Sequence, residues 1–161
     1  MSQHVACVGS HTSADRSGLE PPQIVPRRGG AIPRSSGLVL SRGASEFLAE
    51  RHLATIATRR PDGSLHAVPV GFTVQQNEAS AWVITSAGSI KIRNIRSGSR
   101  ACLCQVDGRR WLSLEGPATV HTEPEIVAEA VRRYGQRYQA PRPNPLRVCI
   151  EVRIERVQGS V

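Results

Sequence analysis

Lysine is nearly absent from this 161-residue chain: Lys91 is its single example, beside 20 arginines. Aromatic residues are scarce too, with six in all and none among the first 40. Such a stretch, rich in Ser, Gly, Pro and Arg as in PPQIVPRRGGAIPRSSG, buries too little apolar surface to offset its ordering entropy. Residues 1–40 are therefore expected to form a disordered extension, and residues 41–161 a single folded domain. No run of about 18 apolar residues occurs, so no transmembrane helix is expected. The first 20 residues lack the basic start and apolar core of a secretory leader.

Other absences narrow the chemistry. Cys7, Cys102, Cys104 and Cys149 form no CxxC pair, and no His or Cys cluster has zinc-ligand spacing, so no metal is expected. Reduced thiols in a cytoplasmic protein are the expectation instead. No Ser or Cys is placed with a histidine and an acid as a nucleophilic triad, and no close carboxylate pair stands out. An enzyme with this inventory would rely on a cofactor for its reaction chemistry. The net charge of +8 raises nucleic acid as a partner. The arginines are dispersed, however, and form no stripe with the aromatics, so neither nucleic acid nor membrane is expected as a partner.

What is present reads as a β-rich domain. Ser41 or Ser45 can cap a short helix carrying Phe47, Leu48 and Leu53. The period then changes to two. LATIATRR, the turn PDG and LHAVPVGFTV predict a hairpin, with His66, Val68, Val70, Phe72 and Val74 on one face and Leu65, Ala67, Pro69 and Gly71 on the other. Pro69 and Gly71 place that strand at an edge, or under something that approaches closely. QQNE is a turn and SAWVITS a third strand. A short helix follows over SIKIRNIRSGS, with Gly98 stopping it. RACLCQVD and RRWLSLEGPATVH are the fourth and fifth strands. In the latter, Leu112, Leu114, Ala118 and Val120 face inward and Trp111, Ser113 and Glu115 outward. Thr122 to Glu125 read as a capping box for a helix with the stripe Val127, Val131, Tyr134 and Tyr138. RVCIEVRIERV is the last strand, with Val148, Ile150, Val152 and Ile154 inside. Six antiparallel strands with short flanking helices predict a mainly β fold, a small split β-barrel.

The segment TSAGSIKIRN, residues 85–94, is the strongest local candidate for chemistry. It sets Thr85, Ser86, Ser89 and Lys91 at a strand-to-helix turn, where free N–H groups, hydroxyls and an ammonium suit a phosphate. An ordinary capped surface helix would read the same way. His66 reads as a core or edge residue, and Glu115 and Glu151 as partners of arginines. Trp111 could cover an aromatic ligand or bury itself in a dimer contact.

HAVPVGF, WVITSAGSIKIRNI, QVDGRRWLSLEGPATV, RYGQRYQAPRPNP and IEVRIERVQGS, in that order, resemble the flavin/deazaflavin oxidoreductases with the pyridoxamine 5'-phosphate oxidase-like, FMN-binding split β-barrel. The resemblance covers about residues 41–160. It implies a homodimer with two cofactor sites between the barrels. The phosphate would lie at Ser89, Lys91 and Asn94 with Thr85 and Ser86 nearby, the tricyclic ring along Val68, Pro69, Val70 and Gly71, and Gln105 and Trp111 at the rim. The implied cofactor is coenzyme F420, with FMN as the alternative. The implied reaction is hydride transfer from reduced F420 to a conjugated small-molecule acceptor, biliverdin or a related tetrapyrrole, whose carboxylates suit Arg109, Arg110 or Arg137. An FMN oxidase relative and a non-enzymatic cofactor carrier are the rival readings. The resemblance leaves the catalytic residues and the proton donor unknown.

Overall fold

The computed structural model describes residues 40–75, 79–96 and 100–161. The expected extension therefore lies outside the described residues except for Leu40, as do Gly98 and most of the QQNE turn. Among the described residues no helix is long and apolar enough to cross a membrane.

The described residues form eight strands and three helices in the order α1 (Arg42–Ala49), β1 (Ala54–Arg59), β2 (Leu65–Val70), β3 (Thr73–Gln75), β4 (Ser80–Ser86), α2 (Ile90–Arg96), β5 (Arg100–Asp107), β6 (Arg110–His121), α3 (Pro124–Arg137), β7 (Arg147–Arg153) and β8 (Arg156–Ser160). All strand pairs are antiparallel, in the order β2-β1-β5-β6-β7-β4-β3, with β8 on β6. The expected count of six rises to eight because two long alternating runs are broken. The second breaks at Gly71–Phe72, giving β2 and β3, and the last at Ile154–Glu155, giving β7 and β8.

Strand β6 joins the two halves of the barrel. Residues 111–115 pair with β8, while residues 118–121 pair with β7. Gly116 sits at the changeover. A Cβ there would lie 1.6 Å from the Arg153 carbonyl oxygen, so no other residue fits without moving the backbone. One half-barrel is thus β2-β1-β5-β6-β8 and the other is β3-β4-β7 with the end of β6.

The core lies between the halves. Ile56, Val83, Leu103, Leu114, Ile150 and Val152 come from the strands, Phe72 from the break between β2 and β3, Phe47 and Leu48 from α1, and Ile92 and Ile95 from α2. Alternation along the strands accounts for this set. Ser41 caps α1, its hydroxyl accepting the Ala44 N–H at 3.2 Å. Leu53, expected on this helix's apolar face, lies beyond it and is 58% exposed. The capping box expected at Thr122–Glu125 is absent. Glu123 is the N-cap of α3 without a side-chain cap bond, and its carboxylate accepts the Thr122 N–H instead. Pro124 at the first helical position needs no N–H partner and starts the helix.

Candidate functional site

Among the described residues, a helix covers the outer face of one half-barrel only. Helix α3 packs on β3, β4 and β7, with the Arg133 guanidinium 5.0 Å from the Trp82 ring centre. Ala130 and Cys149 are buried outside the main core. Beside them His121 meets Glu151 at 2.8 Å, so Glu151 has a histidine partner and not the expected arginine. Burial, with the Glu151 charge nearby, pushes the Cys149 thiol up to about 12.

Among the described residues, the outer face of β2-β1-β5-β6-β8 carries no helix. Register aligns Ala67, Ala57, Cys102, Glu115 and Arg156 in one row, and Pro69, Thr55, Cys104, Ser113 and Gln158 in the next. Beyond them Val106 pairs with Trp111. Leu65 is 74%, Val106 56% and Trp111 39% exposed. Strand β2 ends the sheet, which agrees with the edge position expected from Pro69 and Gly71. The Tyr134 ring lies against Gly71, where a Cβ would be 2.5 Å from Cε2. Close approach by a neighbour therefore holds at this glycine, and the neighbour is this chain's own tyrosine.

The turn into α2 keeps an open, cationic character. Thr85 Oγ1 lies 3.5 Å from Ser89 Oγ, and a Cβ at Gly88 would meet nothing within 4 Å. Ser86, half-buried, accepts the Ser89 N–H through its carbonyl. Lys91 is half-buried and faces no carboxylate ion-pair partner among the described residues. Its pKa is lowered by that burial. A half-buried ammonium, two neighbouring hydroxyls and open space at Gly88 within one strand-to-helix turn supply the kinds of donor a phosphate group needs, so the chemistry of these residues fits the cofactor end expected here.

Asn94 does not stand with them. It is 2% exposed, and its Nδ2 donates to the buried Thr58 Oγ1 at 2.9 Å, fastening α2 to β1. Gln105 is likewise no rim residue. It is 1% exposed, donating to the Phe47 carbonyl at 2.7 Å and accepting from Arg137 at 2.9 Å. The Arg137 guanidinium also donates to the Glu50 and Phe72 carbonyls and lies 4.3 Å from the Phe72 ring centre. It is a plug at the barrel end, with four of its five N–H donors used inside the chain. Arg110 is committed as well, bonding Glu50 through both nitrogens at 2.7 and 2.9 Å and also Asp107. The pair with Arg110 holds the Glu50 carboxyl down at about 2. His52 joins Glu50 at 3.0 Å, so Glu50, His52 and Asp107 form a cluster that a guanidinium already occupies. Of the three arginines singled out, Arg109 in the β5–β6 turn is the exposed one.

Sequence reading treated Tyr134 as one member of a helical stripe and did not foresee its contact with Gly71. The signal that could have found it is Gly71, a glycine whose missing side chain has to be filled by something.

Comparison with known proteins places this geometry. A solved structure described as an F420 reductase aligns at a TM-score of 0.63 and 22% identity, covering 74% of this chain and 98% of that one. A conserved hypothetical protein from Mycobacterium tuberculosis aligns at a TM-score of 0.65 and 24% identity, covering 79% and 88%. The F420H(2)-dependent biliverdin reductase of Mycobacterium tuberculosis (strain CDC 1551 / Oshkosh) is 54% identical over 121 residues, or 75% of this chain and 88% of that protein. The family described as pyridoxamine 5'-phosphate oxidase matches residues 40–160, and the chain, with its split barrel, belongs to that family.

Proposed function

We propose that this protein is an F420H2-dependent oxidoreductase that reduces biliverdin or a related tetrapyrrole. The observation that carries the reading is the 54% identity to an F420H2-dependent biliverdin reductase. The outer face beside β2, which no described helix covers, and Lys91, which has no carboxylate ion-pair partner among the described residues, support it physically. Reduced F420 supplies a hydride when bound.

The chain's own residues would hold and orient that cofactor. Lys91, with the Thr85, Ser86 and Ser89 groups around it, would take the phosphate. Val68, Pro69, Val70 and Gly71 would lie along the ring, with the backbone of an edge strand free on one side. Asn94 would serve by fixing α2, and Gln105 by fixing α1, rather than as ligands. A second copy on the apolar outer face would complete the site, with Trp111 reaching the cofactor from the interface. Arg109 would face the acceptor's carboxylates, because Arg110 and Arg137 are taken. Cys102, Cys104 and Cys149 are free thiols, which suits a reducing compartment such as the cytoplasm.

Titration of the purified protein with F420 and with FMN, followed by biliverdin as acceptor, tests the reading. F420 binding tighter than FMN and F420H2 oxidation on adding biliverdin are expected. Preference for FMN would favour the oxidase relative that the family description suggests. Cofactor binding without turnover on any acceptor would favour a carrier. Lys91→Ala is expected to weaken the bound cofactor by about 1.5 to 3 kcal/mol, the range for a hydrogen bond to a charged group, and unchanged affinity would remove the phosphate assignment.

A further inference from the structure

Residues of α1, β3 and α3 together line a cavity of about 420 Å³, open to solvent and of the size that small-molecule sites occupy. It stands apart from the turn proposed for the phosphate. Gln75 in its wall pairs with Ser80 at the start of β4. That strand ends at Ser86, six residues on, or about 20 Å away at 3.3 Å per residue.

The wall has an apolar part and a cationic part. Leu48 is buried and Val74 half-buried, both packed with the core. Helix α3 supplies Arg132, Arg133 and Arg137. Among the described residues these three guanidiniums have one ion-pair partner between them, Glu129, which lies outside the wall. Arg132 takes it with two bonds of 2.7 Å. Arg133 reaches it through Nε alone, so both of its Nη groups are without a hydrogen bond to a described residue. Its guanidinium lies over the Trp82 ring, a contact that limits where it can turn. On the β3 side, Thr73 lines the cavity with 8% of its surface exposed, and its hydroxyl makes no hydrogen bond to a described residue. A buried hydroxyl is ordinarily paired, and here the cavity is the side from which a partner can come. A carboxylate can accept two parallel bonds from an Nη pair, while a hydrocarbon body gains by lying on Leu48 and Val74.

We infer that this cavity is a binding site for an organic carboxylate, with the anionic end held by Arg133, Thr73 and Gln75 and the apolar body on Leu48 and Val74. The site does not depend on which cofactor the protein takes or where that cofactor lies.

The test is an NMR titration of the full ¹⁵N-labelled chain with benzoate, with its uncharged counterpart benzamide, and with phenyl phosphate. Benzoate should shift the amide signals of Leu48 and Thr73 to Gln75, and benzamide should bind at least about tenfold more weakly. Arg133→Gln, which removes a charged donor pair, should weaken benzoate about tenfold or more. Thr73→Val, which keeps the volume and removes one hydroxyl, should weaken it about two- to tenfold and serves alone if Arg133→Gln does not fold. Lys91→Ala should bind benzoate as the wild type does, and Arg133→Gln should bind F420 as the wild type does, so this site and the cofactor site can fail separately. No shifts with benzoate at about 10 mM, shifts confined to the turn around Lys91, or equal binding of benzamide overturns the inference. Affinity untouched by the Arg133 and Thr73 substitutions does the same. Tighter binding of phenyl phosphate than of benzoate overturns the carboxylate assignment and gives the cavity to phosphate esters.

Discussion

The two outer faces of the barrel are made from similar strands and have different fates. On the β3-β4-β7 side, α3 covers Trp82 and Cys149, and the cysteine is fully buried. On the β2-β1-β5-β6-β8 side no helix among the described residues covers the corresponding cysteines, Cys102 and Cys104, which are half-buried, and Val106 and Trp111 are exposed. The strands on both sides alternate, so the difference comes from what the intervening segments become. The chain after β6 has a 14-residue helix to lay back across its sheet, whereas β1 and β2 are joined by a tight turn at Gly63, with positive φ of 86°. On the proposed reading, a second copy of the chain covers this face.

The comparison can be broken first at the residue the two halves share. Gly116→Ala puts a Cβ into the Arg153 carbonyl, and a loss of more than about 4 kcal/mol is expected, read as the absence of cooperative unfolding in a thermal melt. Arg137→Met, which strips the Phe72 and Glu50 carbonyls of their donor, should cost about 3 kcal/mol in a urea titration. Thiol labelling read by mass spectrometry sharpens the contrast. Cys149, buried and with its pKa pushed up to about 12, should stay unlabelled in the native state. Cys102 and Cys104 should label in a monomeric variant and be protected in the wild type.

The smallest effect is electrostatic. Glu50 has its carboxyl held at about 2 by Arg110 and His52, so its folded pKa lies below the unfolded value near 4.5. The stabilisation is present above that value and is lost as pH falls from about 4.5 to 2. Exposure and screening keep it modest. Glu50→Gln should flatten this part of the acid limb of a stability-against-pH curve, and an unchanged limb would show that the pair with Arg110 does not form in solution.

Strand positions and the inward faces of β6 and β7 were legible in the sequence, because a period of two survives wherever one face is buried. The breaks at Gly71 and Glu155 were not, since alternation continues through them and only the change of sheet interrupts pairing. The turn with Thr85, Ser86, Ser89 and Lys91 was legible from hydroxyls and a lone lysine at a strand-to-helix junction. Asn94, Gln105 and Arg137 look polar in a sequence wherever they sit. Their burial depends on carbonyls contributed from Phe47, Glu50 and Phe72, and on the Thr58 hydroxyl, all distant in the chain. No local pattern records such partners.

The central claim is that the bare face takes a second copy and that the cofactor site needs it. Val106→Glu, on an exposed position of β5, should leave stability of the fold within about 0.5 kcal/mol while preventing pairing of that face. Light scattering with an F420 titration on the same samples is the direct test. The account predicts a wild-type dimer that binds F420 and a folded, monomeric Val106→Glu that does not; a monomeric wild type with full F420 affinity, or a monomeric variant that binds as well as the wild type, would contradict it.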